Sequence, residues 1–153
     1  MSASHSVTAD RELIVSRMID APRALVFAAW TDPAQVPRWW GPKGYVTTFS
    51  EMDIRPGGAY RLCMRSPEGV DRWKRGVYRE IVAPERIVFT FNWEDSAGLP
   101  GHELLTTVTF EEFGTKTRLT LKQHLFETVE TRDSHETGWT SCLERFAEYM
   151  TTA

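Results

Sequence analysis

At 153 residues the chain is the size of one domain with a substantial core, and 41% hydrophobic with 25% charged residues is an ordinary balance for a globular protein. A net charge of −3 and a pI of about 5.8 argue against a nucleic-acid binder, which needs a cationic surface to track phosphates. No apolar run approaches the ~20 residues that span a bilayer, and the polar start lacks a signal-peptide core, so membrane insertion and secretion are not expected.

Residues 1–10 are expected to be a flexible tail, followed by a single domain over 11–153 in the cytoplasm. Cys63 and Cys142 show no metal or redox spacing and read as two reduced thiols. The stretch 11–19 reads as a first strand. Asp20, Ala21 and Pro22 then open a helix, with Pro22 in the first turn, where its missing N–H costs nothing. Asp32-Pro33 ends that helix and starts a shorter one, which stops at Trp39-Trp40-Gly41-Pro42.

From Tyr45 the periodicity becomes two, which predicts strands over 46–54, 59–65, 70–82, 86–93, 104–111 and 116–124. Pro56-Gly57-Gly58, Pro67-Glu68-Gly69, Pro84-Glu85, Gly98-Leu99-Pro100-Gly101 and Phe113-Gly114-Thr115 separate them, each suited to a tight reversal, so an antiparallel meander is expected. Tyr60, Leu62 and Met64 share a face, as do Phe89, Phe91 and Trp93, and Leu119, Leu121 and Gln123. The basic cluster Arg72, Lys74 and Arg75 reads as a solvated strand face.

The stretch 131–150 predicts a long helix. His135, Trp139, Cys142, Leu143, Phe146, Tyr149 and Met150 fall on one arc, opposite Glu136, Thr140, Glu144 and Glu148. Thr128, Thr131 or Asp133 caps its start, and Gly138 marks close approach by another backbone or by a ligand. Phe91, Leu121, Trp139 and Phe146 are expected to be buried, and Arg61, Lys122 and Glu144 exposed.

This order of elements resembles the helix-grip fold of the START-like, or SRPBCC, superfamily. More narrowly, Trp39-Trp40-Gly41-Pro42, Asp53-Ile54-Arg55-Pro56-Gly57-Gly58, Gly76-Val77-Tyr78-Arg79-Glu80, Pro84-Glu85-Arg86-Ile87-Val88 and His135-Glu136-Thr137-Gly138-Trp139 are similar to stretches of the bacterial homologues of the heat-shock-protein ATPase activator. The resemblance implies an α+β, birch-pollen-allergen-like fold: a curved antiparallel sheet of about seven strands, wrapped on a long C-terminal helix, with two short helices after the first strand. It also implies a cavity between sheet and helix, which relatives use to hold lipids, hormones or polyketides, and in which aromatase/cyclases carry out reactions. The eukaryotic chaperone activators carry an added N-terminal domain for which this length leaves no room, which weighs against a chaperone role.

The candidate ligand contacts are Trp39, Tyr60, Met64, Tyr78, Phe91, Trp93, Gln123, His135, Trp139 and Leu143. Core packing accounts for the aromatic ones equally well. Gln123 and His135 should meet between sheet and helix, either fixing a ligand's polar end or satisfying each other. Glu80 is inward if Gly76 and Tyr78 are, and is the candidate catalytic acid. His5, His102, His124 and His135 show no metal-ligand spacing, and there is no nucleophile elbow or phosphate loop, so no cofactor is indicated.

The expected function is binding of a small hydrophobic or aromatic molecule. The alternatives are a cyclase, dehydratase or hydrolase in the same cavity, or a chaperone-binding regulatory module. Homodimer and monomer are both left open. Because mutational voids cost ~24 cal/mol per Å³, the aromatics are expected to shrink the cavity to a modest cleft near Gln123 and His135.

Overall fold

Alternating apolar residues bury one face of a strand only if something covers that face. In the computed structural model, which describes residues 11–152, the cover is the last helix. The tail expected over 1–10 lies outside the described residues. In chain order the elements are β1 (Leu13–Ile19), α1 (Arg23–Thr31), α2 (Val36–Trp39), β2 (Val46–Met52), β3 (Ala59–Arg65), β4 (Asp71–Val82), β5 (Arg86–Trp93), β6 (Leu104–Phe113), β7 (Lys116–His124) and α3 (Val129–Thr152).

The seven strands form one sheet in the order β1-β7-β6-β5-β4-β3-β2, with every ladder antiparallel. β2 to β7 are the expected meander. The α1–α2 segment carries the chain from one sheet edge to the other, which gives the helix-grip architecture.

Of the three candidate caps for α3, the structure uses Thr128, whose Oγ1 accepts the Thr131 amide at 3.1 Å. His135, Trp139, Cys142, Leu143 and Phe146 are buried along the inner arc. At one end of the sheet they meet Trp30, Trp39 and Phe110. The Trp39 ring packs tilted 4.5 Å from Trp30 and edge-to-face 4.7 Å from Phe146, and its indole N–H donates to the Ala29 carbonyl.

Two expectations about faces are corrected. Tyr78 pairs with Phe89, but Glu80 pairs with Val88, so a β-bulge adds one residue between them. Parity flips there: Tyr78 stays inward and Glu80 turns out to solvent, where it binds Arg86 at 2.8 Å. Arg61, Lys122 and Glu144 are half-buried rather than exposed. For Arg61 the reason is a bidentate pair with Glu94 at 2.7 and 2.9 Å, with the guanidinium 4.1 Å from the centre of the Trp73 ring.

Gly76 on β4 is crowded by Tyr60 of β3 and Thr90 of β5. The Tyr60 hydroxyl passes it to donate to the Thr90 carbonyl at 2.7 Å. A Cβ at Gly76 would lie 2.0 Å from that carbonyl oxygen and 2.6 Å from the Tyr60 ring. Gly76→Ala should therefore cost about 3 kcal/mol, as overpacked cores do. Denaturant unfolding measures it, and a loss under about 0.5 kcal/mol, the level of a neutral surface change, would mean the ladder yields there.

Candidate functional site

The aromatic packing fills only one end of the space between sheet and helix. At the other end, between the inner faces of β3, β4 and β5 and the first half of α3, lies a cavity of about 670 Å³. Trp40, Phe91, Trp93 and Trp139 wall it, with Met64, Lys74 and Cys142 deeper in. Glu130, Thr131, Ser134 and Thr137 on its lining are exposed, so it opens to solvent along α3. The cavity is larger than the modest cleft expected. The large rings pack into the closed end, and an open slot is not the sealed void to which the mutational cost applies.

Of the sequence candidates, Met64, Phe91, Trp93, His135 and Trp139 line the cavity. Trp39 and Leu143 lie in the closed core. Tyr60 and Tyr78 stack 5.5 Å apart around a gap of about 10 Å³, too small for any organic ligand. Glu80 is on the outer surface and cannot serve the cavity as an acid.

Gln123 and His135 do meet, directly behind the walls. The Gln123 amide donates to Thr106 Oγ1 at 2.8 Å, and its carbonyl accepts from Trp139 Nε1 at 3.0 Å. Trp93 Nε1 lies 2.8 Å from His135 Nε2. An indole N–H can only donate, so Nε2 accepts and the imidazole proton sits on Nδ1, from which it is donated to Gln123 Oε1 at 2.7 Å. The pair is thus spent on positioning Trp93 and Trp139. Burial, followed by the nearby Lys74 and Arg72 charges, pushes His135 down to about 4, which keeps it neutral.

The basic cluster is not a solvated face. Arg75 points outward to Glu94 at 3.1 Å, whereas Arg72 and Lys74 line the cavity. Lys74 is only 3% exposed. Its Nζ lies 4.7, 5.1 and 5.4 Å from the ring centres of Trp40, Trp93 and Phe91, and donates to Met64 Sδ at 3.5 Å. Among the described residues no carboxylate pairs with it. Burial brings the amine down from 10.5 to about 7, with Cys142 opposing and Arg72 adding to that shift. Cys142, pushed up to about 11 chiefly by burial, remains a protonated thiol. Lys74 was missed although parity carries the signal: it lies two and four residues before Gly76 and Tyr78 on the inward face.

The rim is held by α3. Arg145 Nη1 donates to the carbonyls of Tyr45 at 2.9 Å and Trp40 at 3.1 Å, and Ser141 Oγ accepts the Lys43 amide at 2.9 Å. Gly41, at φ +96°, bends this loop where a Cβ would touch Met64 Sδ at 3.0 Å. Gly138 has no such crowding: an added Cβ would meet Pro42 Cγ only at 3.9 Å, so no other backbone packs close against it, and it borders the cavity. Among the described residues no group of three or more His, Cys, Asp or Glu side chains is placed to hold a metal, and no helix is long and apolar enough to cross a membrane.

A family model described as Activator of Hsp90 ATPase homolog 1-like protein matches residues 20–151. Among solved structures, the AHSA1 protein from Silicibacter pomeroyi is 26% identical with a TM-score of 0.84, over 92% of this chain and 98% of that one. A protein from Chromobacterium violaceum is 30% identical with a TM-score of 0.81, over 92% and 96%. A solution structure of a protein from Arthrobacter aurescens is 25% identical with a TM-score of 0.86, over 95% and 89%. No curated protein matches.

Two stability measurements follow from the titratable groups. Lys74 binds its proton less tightly folded (about 7) than unfolded (10.5), so the charged amine penalises the native state at pH 7 and below, and stability recovers as pH rises from 7 to 10.5. Lys74→Met should stabilise by about 1–4 kcal/mol at pH 7, with the gain shrinking toward pH 10. Denaturant unfolding at both pH values checks it. His135, neutral when folded, should cost ~3 kcal/mol of stability as pH falls from 6.5 to 4, and His135→Gln should flatten that acid limb in the same experiment.

Proposed function

We propose, for a chain that belongs to the Activator of Hsp90 ATPase homolog 1-like family, that the cavity is a binding site for a small organic molecule with an aromatic or apolar body. One observation carries this reading: a solvent-open space of about 670 Å³ walled by Trp40, Phe91, Trp93 and Trp139. That volume falls in the ~300–1,000 Å³ range of small-molecule sites. The walls also favour binding because Trp93 and Trp139 are already fixed by His135 and Gln123, so little side-chain freedom is lost when a ligand enters.

Glu80, the acid the sequence offered for a reaction, lies on the outer surface and takes no part in the cavity. The family description names a chaperone ATPase, but the cavity reading requires no chaperone. Two free, buried thiols, Cys63 and Cys142, support a reducing, cytoplasmic setting.

The test is a tryptophan-fluorescence titration with a neutral aromatic probe, 2-naphthalenemethanol, alongside melting curves. The expected result is saturable one-to-one binding, with a stabilisation of about 2.7 kcal/mol at a hundred times Kd. Gly138→Leu should close the mouth and abolish binding while leaving stability equal or higher, since replacing a helical glycine returns about 0.8 kcal/mol. A folded protein that shows no saturable binding to the probe, or a Gly138→Leu variant that binds it unchanged, would contradict the proposal.

A further inference from the structure

Lys74 is buried, aimed into the cavity, and among the described residues has a single weak acceptor in Met64 Sδ. An ammonium has three N–H donors, so most of its hydrogen-bonding capacity finds no protein oxygen. The groups that face it are few. Arg72 flanks it on β4, with its guanidinium 4.3 Å from the centre of the Trp93 ring. Phe91 and Trp93 present rings from β5, Met64 a sulfur from β3, and Trp40 a ring from the rim loop. α3 contributes the neutral His135 and the Cys142 thiol, and Cys63 of β3 is a more distant thiol. Glu130 is the only carboxylate among the described residues on the lining, and it sits exposed at the mouth. The deep part of the slot is therefore cationic and unpaired, with flat apolar walls above it.

We infer that the molecule this cavity takes is an amphipathic acid, whose carboxylate seats on the Lys74 ammonium while its aromatic or apolar body lies between Trp93 and Trp139. The inference rests on the cavity being a small-molecule site. It adds the chemical class of the ligand and its orientation, acid group inward. A buried ammonium lacking a counter-ion is completed by a ligand that brings one, because the charge-assisted hydrogen bonds form at an amine that the rings already shield from most of the solvent. His135 does not compete for the acid: its Nδ1 proton is given to Gln123 and its Nε2 is capped by Trp93.

The test compares 2-naphthoate with 2-naphthamide, which share ring and shape and differ in charge, by fluorescence titration at pH 6.5. The acid should bind at least about tenfold more tightly, the span expected for a hydrogen bond to a charged group. In Lys74→Met, the preference for the acid over the amide should fall to about twofold, which is what Arg72 at the mouth still supplies. Independently of any variant, raising the pH of the wild-type protein from 6.5 to 9 should weaken the acid progressively as the amine loses its proton, and leave the amide unchanged. If the amide binds and the acid binds no better, or if the preference survives Lys74→Met or the rise in pH, the acid assignment is overturned while the cavity remains a binding site. If neither compound binds the folded protein, both readings fall.

Discussion

The constraint on which this structure turns is the burial of one ammonium group with no carboxylate among the described residues to meet it. Desolvating such a charge costs several kcal/mol. The rings of Trp40, Phe91 and Trp93 around Lys74 return about 2 kcal/mol at such desolvated sites. The side chains around the amine are fixed in turn. Trp93 is held by His135, His135 by Gln123, and Gln123 by Thr106, a line of hydrogen bonds running from β5 through α3 and β7 to β6. His135 has to be neutral for that line to form, and the positive charges of Lys74 and Arg72 help to keep it so.

The molecule divides into an end that supplies stability and an end that supplies space. At the closed end Trp30, Trp39, Phe110 and Phe146 interlock, each burying ~150–250 Å² of ring surface. At the open end the cavity lies between the sheet and α3, and the loop that Arg145 grips through its carbonyls forms part of its rim. The buried ammonium and the unfilled space lie together at the open end, as at sites built for a ligand rather than for stability.

Much of this was legible in the chain. Turn residues between the strands marked their limits, and β3, β5 and β7 begin and end where alternation begins and ends. The meeting of Gln123 with His135 followed from strand parity on one side and helical spacing on the other. Parity failed at Glu80, because a bulge adds a residue with no turn signal of its own. It would have succeeded at Lys74, where a run of basic residues looked like a solvated surface although alternation divides it between two faces. Which aromatics fill the core and which wall a cavity was not legible. Trp39 and Trp40 are neighbours in sequence, yet one is sealed against Ala29 and the other faces the slot, a difference set by where α2 ends.

The most direct measurement is the titration of the Lys74 side chain itself, by NMR of the 13Cε resonance assigned through its loss in Lys74→Met. The amine is expected to titrate at about 7 in the ligand-free protein. An amine that holds its proton to the ordinary lysine value of ~10.4 would contradict the account, because it would mean that solvent or an acidic partner already compensates the charge.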